Sequence, residues 1–532
     1  MVRTYLLRPA LLFLLTLGFS LLPTVSAQDT SVEDSTVVYP ASYFEEYAPV
    51  TAQDMLDRIP GLSSGRPGGR GGGGGGRGGH GRRGLGDGGG GNQILINGKR
   101  TAGKNNQASS RLDRITAGLV NYIEVIRGTS GDLDIRGSSQ VINVVLFDEF
   151  ASSSISYEVG LDRYWDKDTQ PGGSISYGGQ SGGLNYLFSA QAVPRHSFRL
   201  AKENSILGDL TPNDLVREER TREQTTYEYS TNIEYLINDR SSARFNALYG
   251  TDDNQSDVDR WTTDLRVTPN SVLQEREDQD SDRDNWEIGG DYEYNFANGN
   301  RFKVLFITNE RNNGFLRERY EVIPGEGENK NLFLDTFSRN QERIVRGSYT
   351  MDVFDGQNVE IGVERAQTIL DSTLRLATDS ASGIPDSNFG GLVPIEVSNA
   401  TSTVEEIRIE PFVVHNWQLN NRMSIESTIK YESSEIEQKG DVNNKRDFNF
   451  VKPKLDYRFD ITPVLQFRVT VEKTVSQLSF SDFVAATDFN DNDENVRAGN
   501  VQLRQEEAWQ YDFNLEYRLP NDIGGRHQYF LP

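Results

Sequence analysis

The stretch that decides the fold is residues 92–146, which read NQILINGKRTAGKNNQASSRLDRITAGLVNYIEVIRGTSGDLDIRGSSQVINVVL. It contains three short β-rich pieces, namely residues 94–96, 122–126 and 141–146. The first piece runs into Asn97-Gly98, and this pair favours positive φ angles and predicts a tight turn. Between the first two pieces, residues 109–119 carry apolar side chains at helical spacing and predict a helix. The stretch therefore predicts a small α+β module.

Four separated motifs mark this module along the chain. They are MLDRIPG at residues 55–61, ILINGKR at 94–100, IEVIRG at 123–128 and VINVV at 141–145. In this order they resemble the plug domain of TonB-dependent outer-membrane receptors. The resemblance implies a plug that fills the lumen of a transmembrane β-barrel with about 22 strands. A small ferredoxin-like or RRM-like domain is the alternative reading of the same pieces.

Length and composition narrow the possible functions. A chain of 532 residues favours two domains, and a net charge of -23 argues against nucleic acid as a partner. The chain has no cysteine, so thiolate metal sites and disulfides are excluded. Its four histidines, His80, His196, His415 and His527, are widely separated and lack metal-ligand spacing. We therefore expect no metal site and no cofactor.

The N-terminus reads as a secretory signal. Arg3 and Arg8 precede an apolar centre at residues 10–22, and Val25-Ser26-Ala27 forms a small-residue cleavage site. We expect residues 1–27 to be removed on export.

Residues 28–48 form an acidic, extended segment ahead of the module. Within it, Ser35, Thr36, Val37, Val38 and Tyr39 resemble the TonB box. β-branched and aromatic residues favour the extended state, and an extended peptide can add to a partner's sheet edge through main-chain hydrogen bonds. The resemblance implies that these residues bind a TonB-type energy-coupling protein. An ordinary disordered leader is the alternative.

The plug is expected at residues 49–150, with an insertion at residues 65–91. Glycine supplies 18 of these 27 residues, and five arginines stand against one acid. Such a segment buries too little apolar surface to offset its ordering entropy, so we expect it to be disordered. Arg-Gly-Gly repeats also bind single-stranded nucleic acid, but here no aromatic residue is interleaved.

From residue 151 onward, segments of about ten residues alternate apolar and polar side chains, as at residues 155–161, 227–235 and 511–519. This period is typical of outer-membrane strands. Polar residues 201–223, 252–284 and 377–403 are interpreted as long loops, and residues 238–241 and 297–300 as short turns. A soluble all-β repeat protein is disfavoured, because the segments have no constant period.

Two acidic groups fall in or near these polar regions. One comprises Asp278, Asp280, Asp282 and Asp284, and the other Asp488, Asp491, Asp493 and Glu494. Oxygen-rich clusters can hold Ca²⁺, but neither has the glycine and final glutamate of an EF-hand loop. We interpret both as solvated loop charge.

The last part of the sequence helps to predict how many strands the barrel has. Residues 452–457 and 499–503 resemble a late barrel strand and its following loop, whereas residues 529–532 lack the usual ending in a terminal aromatic strand. The fold class expected is thus an α+β plug followed, at residues 151–532, by an incomplete antiparallel transmembrane β-barrel with roughly 14–16 of about 22 strands.

The resemblance implies a transporter in the outer membrane of a Gram-negative bacterium, in contact with lipid. It would take up a scarce external small ligand by energy-coupled plug rearrangement, and a ferric siderophore is the ligand class expected first.

Glu124 and Arg127 are candidates for ion pairs between plug and wall. Oligosaccharide or peptide uptake, and a non-transporting binding or structural barrel, are the alternatives, whereas a signalling barrel is disfavoured. A secreted hydrolase is disfavoured, because no catalytic set can be placed. We expect no enzymatic activity.

Overall fold

The computed structural model describes residues 36–59, 93–98, 112, 115–126, 141–147, 153–462, 464–487, 496–497, 499–518 and 524–531. Several predicted features lie outside these residues: the signal at 1–27, Ser35, Arg127, the glycine-rich insertion and the acidic group at 488–494. Of the helix predicted at 109–119, only Leu112 and residues 115–119 are described, and Ala117–Leu119 form a short 3-10 helix.

The described part of the plug contains a small sheet and a short α-helix. Its four strands lie in the order β1-β3-β4-β2, with β2 and β4 parallel and the other pairs antiparallel. The bounds are β1 Thr36–Pro40, α1 Ala52–Leu56, β2 Gln93–Ile96, β3 Val120–Ile126 and β4 Val141–Leu146. The three β-rich pieces of the sequence are therefore strands of one sheet.

The turn predicted after β2 is confirmed. Asn97 and Gly98 have φ angles of 51° and 73°, the left-handed region that an Asn-Gly pair adopts at low cost. The Asn97 side chain accepts a hydrogen bond of 2.8 Å from the Leu146 N–H, and Asn143 Oδ1 accepts one of 2.7 Å from the Gly98 N–H. These bonds tie the turn to β4.

Most of the described residues after the plug belong to one large antiparallel sheet. Fifteen strands follow one another in chain order from β5 to β22, and the two-residue strand β14 pairs with β13 off this path. Their bounds are β5 Ser153–Arg163, β6 Thr169–Ser181, β7 Leu184–Ile206, β8 Pro212–Asn238, β9 Ser241–Asp264, β10 Ser271–Asn295, β11 Arg301–Ile323, β12 Gly327–Phe354, β13 Gln357–Thr378, β14 Val393–Pro394, β15 Thr401–Asn420, β16 Met423–Gly440, β17 Asn444–Thr462, β18 Leu465–Val475, β21 Glu507–Arg518 and β22 Gly524–Leu531. Two further short strands, β19 Ala486–Thr487 and β20 Val496–Arg497, pair with each other.

Neighbours in chain order are neighbours in the sheet, as in an up-and-down barrel. The sheet is not closed among the described strands, because β5 and β22 form its two ends and do not pair with each other. The number of strands agrees with the count predicted from alternation. One end of the sheet carries the long connections 379–400 and 476–506, and we call it the loop end; the opposite end is the turn end.

Two of the predicted long loops are wrong. Residues 201–223 and 252–284 are mostly strand, interrupted only at 207–211 and 265–270. Asp278, Asp280, Asp282 and Asp284 likewise lie on β10 and not in a loop. Near the loop end both faces of the sheet are polar, so the alternation that reveals a strand is missing from the sequence. The segment 377–403 does contain a long connection, at 379–400.

An apolar band runs across the outer face of the sheet near the turn end. Tyr229 lies directly opposite Tyr249, and Ile288 lies opposite Ala247, all with outward side chains. Further members on other strands are Phe188, Phe306, Val345, Val363 and Ile429, which are all well exposed. A continuous exposed apolar band is what the lipid-facing side of an outer-membrane sheet presents.

The plug packs against the inner face of the sheet. Leu187 of β7 is buried in the same hydrophobic cluster as Phe44, Met55 and Ile123 of the plug. Because side chains alternate along a strand, odd-numbered residues of β7 share the inward side of Leu187. Among the described residues, no helix is long and apolar enough to cross a membrane.

Candidate functional site: an arginine-lined cavity

A cavity of about 850 Å³ lies on the inner face towards the loop end. Side chains from β7 to β13 form its wall, and residues 478–486 from the connection after β18 form the opposite side. The described part of the plug contributes none of its lining. The cavity has the size of a small-ligand site.

The segment 478–486 is held against the wall by apolar packing. Phe483 is 2% exposed and clusters with Leu370 and Val404 of the sheet. Gln438 donates a side-chain hydrogen bond of 3.2 Å to the Phe483 carbonyl, and the Ala485 N–H donates one of 3.2 Å to the Asn399 carbonyl. Both sides of the cavity therefore have defined positions.

Gly499 lets the end of the connection after β18 pack closely against residues 482–484. Its φ is 75°, and a Cβ at this position would lie 2.5 Å from the Phe483 carbonyl carbon and 2.7 Å from the Val484 oxygen. The next residue, Asn500, donates its N–H to the Asp482 carbonyl at 2.7 Å. Only glycine fits here without backbone movement. This glycine begins the motif at 499–503 that the sequence singles out.

The lining is cationic. Four arginines contribute to it, Arg199, Arg220, Arg222 and Arg283, while no aspartate or glutamate is among the lining residues. The other lining side chains are mostly serine, threonine and asparagine, together with two phenylalanines, Phe315 and Phe480. In a chain of net charge -23 this concentration of positive charge is local. A concave cationic surface raises the local concentration of anions.

Two of these arginines are positioned by neutral partners. Arg222 Nε donates a hydrogen bond of 2.8 Å to Asn254 Oδ1, and Arg283 Nε donates one of 2.9 Å to Asn313 Oδ1. An amide oxygen orients a guanidinium but does not cancel its charge. The remaining N–H groups are suited to bidentate binding of carboxylate-like or phosphate-like oxygens.

Carboxylates outside the lining compensate part of the charge. Glu218 lies 3.4 Å from Arg220, and Asp252 lies 3.6 Å from Arg283. The Nε of Arg220 is buried and has no hydrogen-bond partner. Two carboxylates against four guanidinium groups leave an excess of positive charge on the wall.

A buried ion-pair network lies beside the cavity, further towards the loop end. Arg260 is within 2.9 Å of Glu218 and 3.1 Å of Glu277, and Arg317 is within 2.6 Å of Glu277. Burial by itself would raise the pKa of Glu277, but the hydrogen bonds from Arg317 and the charge of Arg260 lower it to about 2. The network therefore stays ionised and joins β8, β9, β10 and β11.

The residues predicted to form the TonB box are extended, as expected, but they belong to the plug sheet. Thr36, Val37, Val38 and Tyr39 lie on β1, which is an edge strand paired with β3. Tyr39 is buried in the plug core, whereas Val38 is 52% exposed. Ser35 lies outside the described residues. Partner binding by this strand stays a prediction.

The predicted ion pairs between plug and wall also stay a prediction. Glu124 accepts a hydrogen bond of 2.8 Å from the Asn143 side chain, on the neighbouring strand of the plug. Arg127 is outside the described residues.

The sequence gives little sign of the cavity arginines. They lie on three strands in segments that were interpreted largely as loops, and only the alternation of Arg220 with Arg222 hints that two of them share a face. Register across β7, β8 and β10 is what brings them together, and no single-sequence signal carries it.

Comparisons with known families agree with this architecture. Residues 221–525 match the family described as TonB dependent receptor-like, beta-barrel, and residues 28–142 match the TonB-dependent Receptor Plug Domain. The fold and the matches define a plugged β-sheet receptor. The chain belongs to the TonB-dependent receptor family. A comparison with curated proteins gives no match.

Solved structures of receptors are similar at low identity. The ferripyoverdine receptor of Pseudomonas aeruginosa, bound to ferripyoverdine, is 12% identical with a TM-score of 0.47, over 93% of this chain and 62% of that one. The hemophore receptor HasR of Serratia marcescens, in complex with its hemophore HasA and heme, is 10% identical with a TM-score of 0.45, over 92% of this chain and 70% of that one. The siderophore receptor PiuA of Acinetobacter baumannii is 13% identical with a TM-score of 0.38, over 92% and 70%. The chain thus spans about two thirds of the length of these receptors.

Proposed function

We propose that this protein is an outer-membrane receptor that takes up an external anionic ligand, a ferric siderophore before other classes, by energy-coupled rearrangement of its plug. The proposal rests on the cavity wall. Four arginines and no aspartate or glutamate line this cavity of about 850 Å³. Many ferric siderophores present carboxylate or catecholate oxygens around the metal, and guanidinium groups bind such oxygens by charge-assisted hydrogen bonds. Phe315 and Phe480 add apolar contacts for an organic chelator.

The proposed location is the outer membrane of a Gram-negative bacterium. The outward apolar band supports it, since Tyr229, Tyr249 and Ile288 expose large side chains on the face opposite the plug. Contact with lipid removes these side chains from water without a protein partner.

Coupling to an energy source would act through β1. This strand lies at the edge of the plug sheet, where it is paired with β3. An edge strand can receive a further strand from a partner through main-chain hydrogen bonds. We propose that a TonB-type protein binds residues 35–39 in this way and that force on β1 moves the plug away from the wall near Leu187.

Uptake and binding assays test the ligand class. In cells lacking the gene, growth on ferric siderophores as the sole iron source should fail, while growth on oligosaccharides or peptides should be unchanged. Complementation with Arg220→Ala/Arg222→Ala should leave the protein in the membrane and reduce binding of an anionic ferric chelate by about 10-fold or more, since each charged hydrogen bond contributes about 1.5–3 kcal/mol.

The control is Arg266→Ala, whose side chain is 55% exposed and pairs with Asp264 at 2.9 Å outside the cavity. It should bind like the unmodified protein. A deletion strain with altered use of a carbon source and normal iron-limited growth would favour oligosaccharide or peptide uptake instead. Equal binding of the chelate by the double variant and its control would show that the cavity arginines do not bind the ligand.

A further inference from the structure

A cluster of one histidine and three acidic side chains lies on the outer face of the sheet, away from the cavity. It comprises Asp166, Asp168, His196 and Glu223, and we call it the imidazole–carboxylate cluster. His196 of β7 lies opposite Glu223 of β8 in the sheet register, and both share the face of Phe188. The two aspartates come from the turn between β5 and β6, residues 164–168.

The imidazole of His196 is nearly enclosed. Its side chain is 3% exposed, and its Nε2 lies 2.6 Å from Asp166 Oδ2 in a hydrogen bond. Its Nδ1 faces two further carboxylate oxygens, at 3.3 Å from Asp168 Oδ2 and 3.6 Å from Glu223 Oε1. This Nδ1 is buried and makes no hydrogen bond. A buried ring nitrogen that makes no hydrogen bond therefore faces two carboxylate oxygens.

The turn that brings the aspartates here is itself well defined. The Tyr164 N–H donates to the Asp168 carbonyl at 2.9 Å, and Lys167 has a φ of 77° that reverses the chain. The Tyr164 ring lies 5.1 Å from the His196 ring. Gln170 donates a hydrogen bond of 2.7 Å to Asp168 Oδ2, which orients that carboxylate. The donor set is therefore arranged before any ligand arrives.

We propose that this cluster is a binding site for a divalent transition-metal ion of the Zn²⁺ class. His196 Nδ1, Asp168 and Glu223 supply the ligands, and their donor atoms all lie within 4.8 Å of one another. Ligands held about 2.1 Å from a tetrahedral Zn²⁺ are about 3.4 Å apart, close to the two separations measured from Nδ1. Asp166 acts as a positioning residue.

The role of Asp166 follows from its contact with Nε2. A metal-binding histidine usually donates its second ring N–H to a carboxylate, which fixes the tautomer and leaves the other nitrogen free to bind. The contact with Asp166 fits this arrangement, because a neutral ring that donates Nε2–H to the carboxylate keeps its lone pair on Nδ1. The same carboxylate also accepts a hydrogen bond of 3.3 Å from the Asp168 N–H, so it holds the turn and the ring together.

Charge and donor type select the metal. Three carboxylates surround one imidazole, so the cluster is anionic even when the ring is protonated. Imidazole with carboxylate suits Zn²⁺, whereas Mg²⁺ and Ca²⁺ prefer oxygen donors alone. The side chain of Glu223 is 59% exposed, which leaves a path for an ion to enter from solvent.

A metal here would join the turn after β5 to β7 and β8. The site lies eight residues beyond Phe188 on the same face, which is about 26 Å along the strand. Trp165 is 70% exposed beside the cluster, with its ring 5.2 Å from that of Phe198. Metal binding would therefore brace the sheet just beyond its apolar band.

Titration of ZnCl₂ into the full chain in detergent micelles tests the proposal. We expect one Zn²⁺ per chain, at least 100-fold weaker binding in His196→Ala, and about 10-fold weaker binding in Asp166→Asn. Glu223→Gln, an exposed change that should leave the fold intact, must also weaken binding. Co²⁺ in place of Zn²⁺ should give visible absorption that is lost in His196→Ala.

The matched control is His415→Ala, because His415 lies on another strand and bonds to Gln357 at 3.1 Å. It should bind Zn²⁺ like the unmodified chain. The proposal is overturned if the unmodified chain binds no Zn²⁺, or if His196→Ala and Glu223→Gln bind it as tightly as His415→Ala does. In that case the imidazole is doubly protonated and bridges the carboxylates without a metal.

Discussion

Arg317 donates two hydrogen bonds to Glu277, at 2.6 Å and 3.0 Å, and both side chains are almost completely buried. The pair joins β10 to β11 beside the cationic cavity. A buried charge is stable only when its partner is present, so this contact makes the loop end of the sheet dependent on a few ionic groups.

Removing one partner of this pair should destabilise the sheet. Arg317→Met leaves Glu277 buried with Arg260 as its remaining guanidinium partner, and we expect a loss of about 3–5 kcal/mol in the free energy of unfolding. Denaturant unfolding in micelles measures it. Arg266→Met, at an exposed position, should change the same quantity by less than about 0.5 kcal/mol. Similar midpoints for the two variants would contradict the structural importance of the pair.

Acid should weaken the same region. The pKa of Glu277 falls from its ordinary value of 4.5 to about 2 in the folded chain. A lowered pKa means that the folded state holds the proton more weakly than the unfolded state does. The stabilisation is therefore complete above pH 4.5 and is lost as the pH falls towards 2. The rate of proteolysis at the loop end, measured at a series of pH values, reports this loss of stability. Between pH 4.5 and about 2 this rate should change less in Glu277→Gln than in the unmodified chain.

Val37→Pro should abolish uptake and leave ligand binding within about twofold. Proline removes the backbone N–H at a position where β1 is paired with Val125 of β3, and it disrupts strand addition by a partner. Uptake of a labelled ferric chelate by energised cells, and its binding to cells whose energy supply is blocked, separate the two effects. Val50→Ala, at an exposed position outside this strand, is the control. Normal uptake in the proline variant would refute the assignment of the TonB box.

Gly499→Ala should loosen the inner side of the cavity. The added Cβ meets Phe483 and Val484 backbone atoms at 2.5–2.7 Å, and the φ of 75° is itself strained for alanine. We expect a cost of about 1–3 kcal/mol and a matching loss of ligand affinity, because residues 478–486 must move. Gly208→Ala has open space around its Cβ and serves as the control. Unchanged affinity in Gly499→Ala would show that this segment does not shape the site.

Ile288→Arg should reduce insertion into lipid. Ile288 lies in the outward apolar band, and an arginine on the lipid face near the bilayer midplane costs about 2–4 kcal/mol. Folding into lipid vesicles measures the loss. Asp280→Arg, also outward on β10 but eight residues towards the loop end, should have little effect. Equal costs at both positions would indicate that the band does not face lipid.

The sequence predicted some elements of the fold because their signals are local. The Asn97-Gly98 turn depends on the φ preferences of two adjacent residues, and the strands near the turn end depend on alternation between lipid and lumen. The prediction for residues 201–223 and 252–284 was wrong because both faces of those strands carry mostly polar side chains, and several inward ones, such as Arg260 and Glu277, are buried in ion pairs. Hydrogen bonding between neighbouring strands, rather than side-chain pattern, extends the sheet there.

The sequence by itself determined the family, the order of plug and sheet, and the glycine-requiring turns, since each follows from motifs and from preferences of neighbouring residues. Only the tertiary structure decided which distant side chains meet. Sheet register gathers Arg199, Arg222 and Arg283 around one cavity, and it sets His196 against Glu223 while a turn adds Asp166 and Asp168. A shift of one residue in register would turn each strand's side chains to the other face. Register is fixed by the packing of the whole sheet, so no short stretch of the sequence contains it.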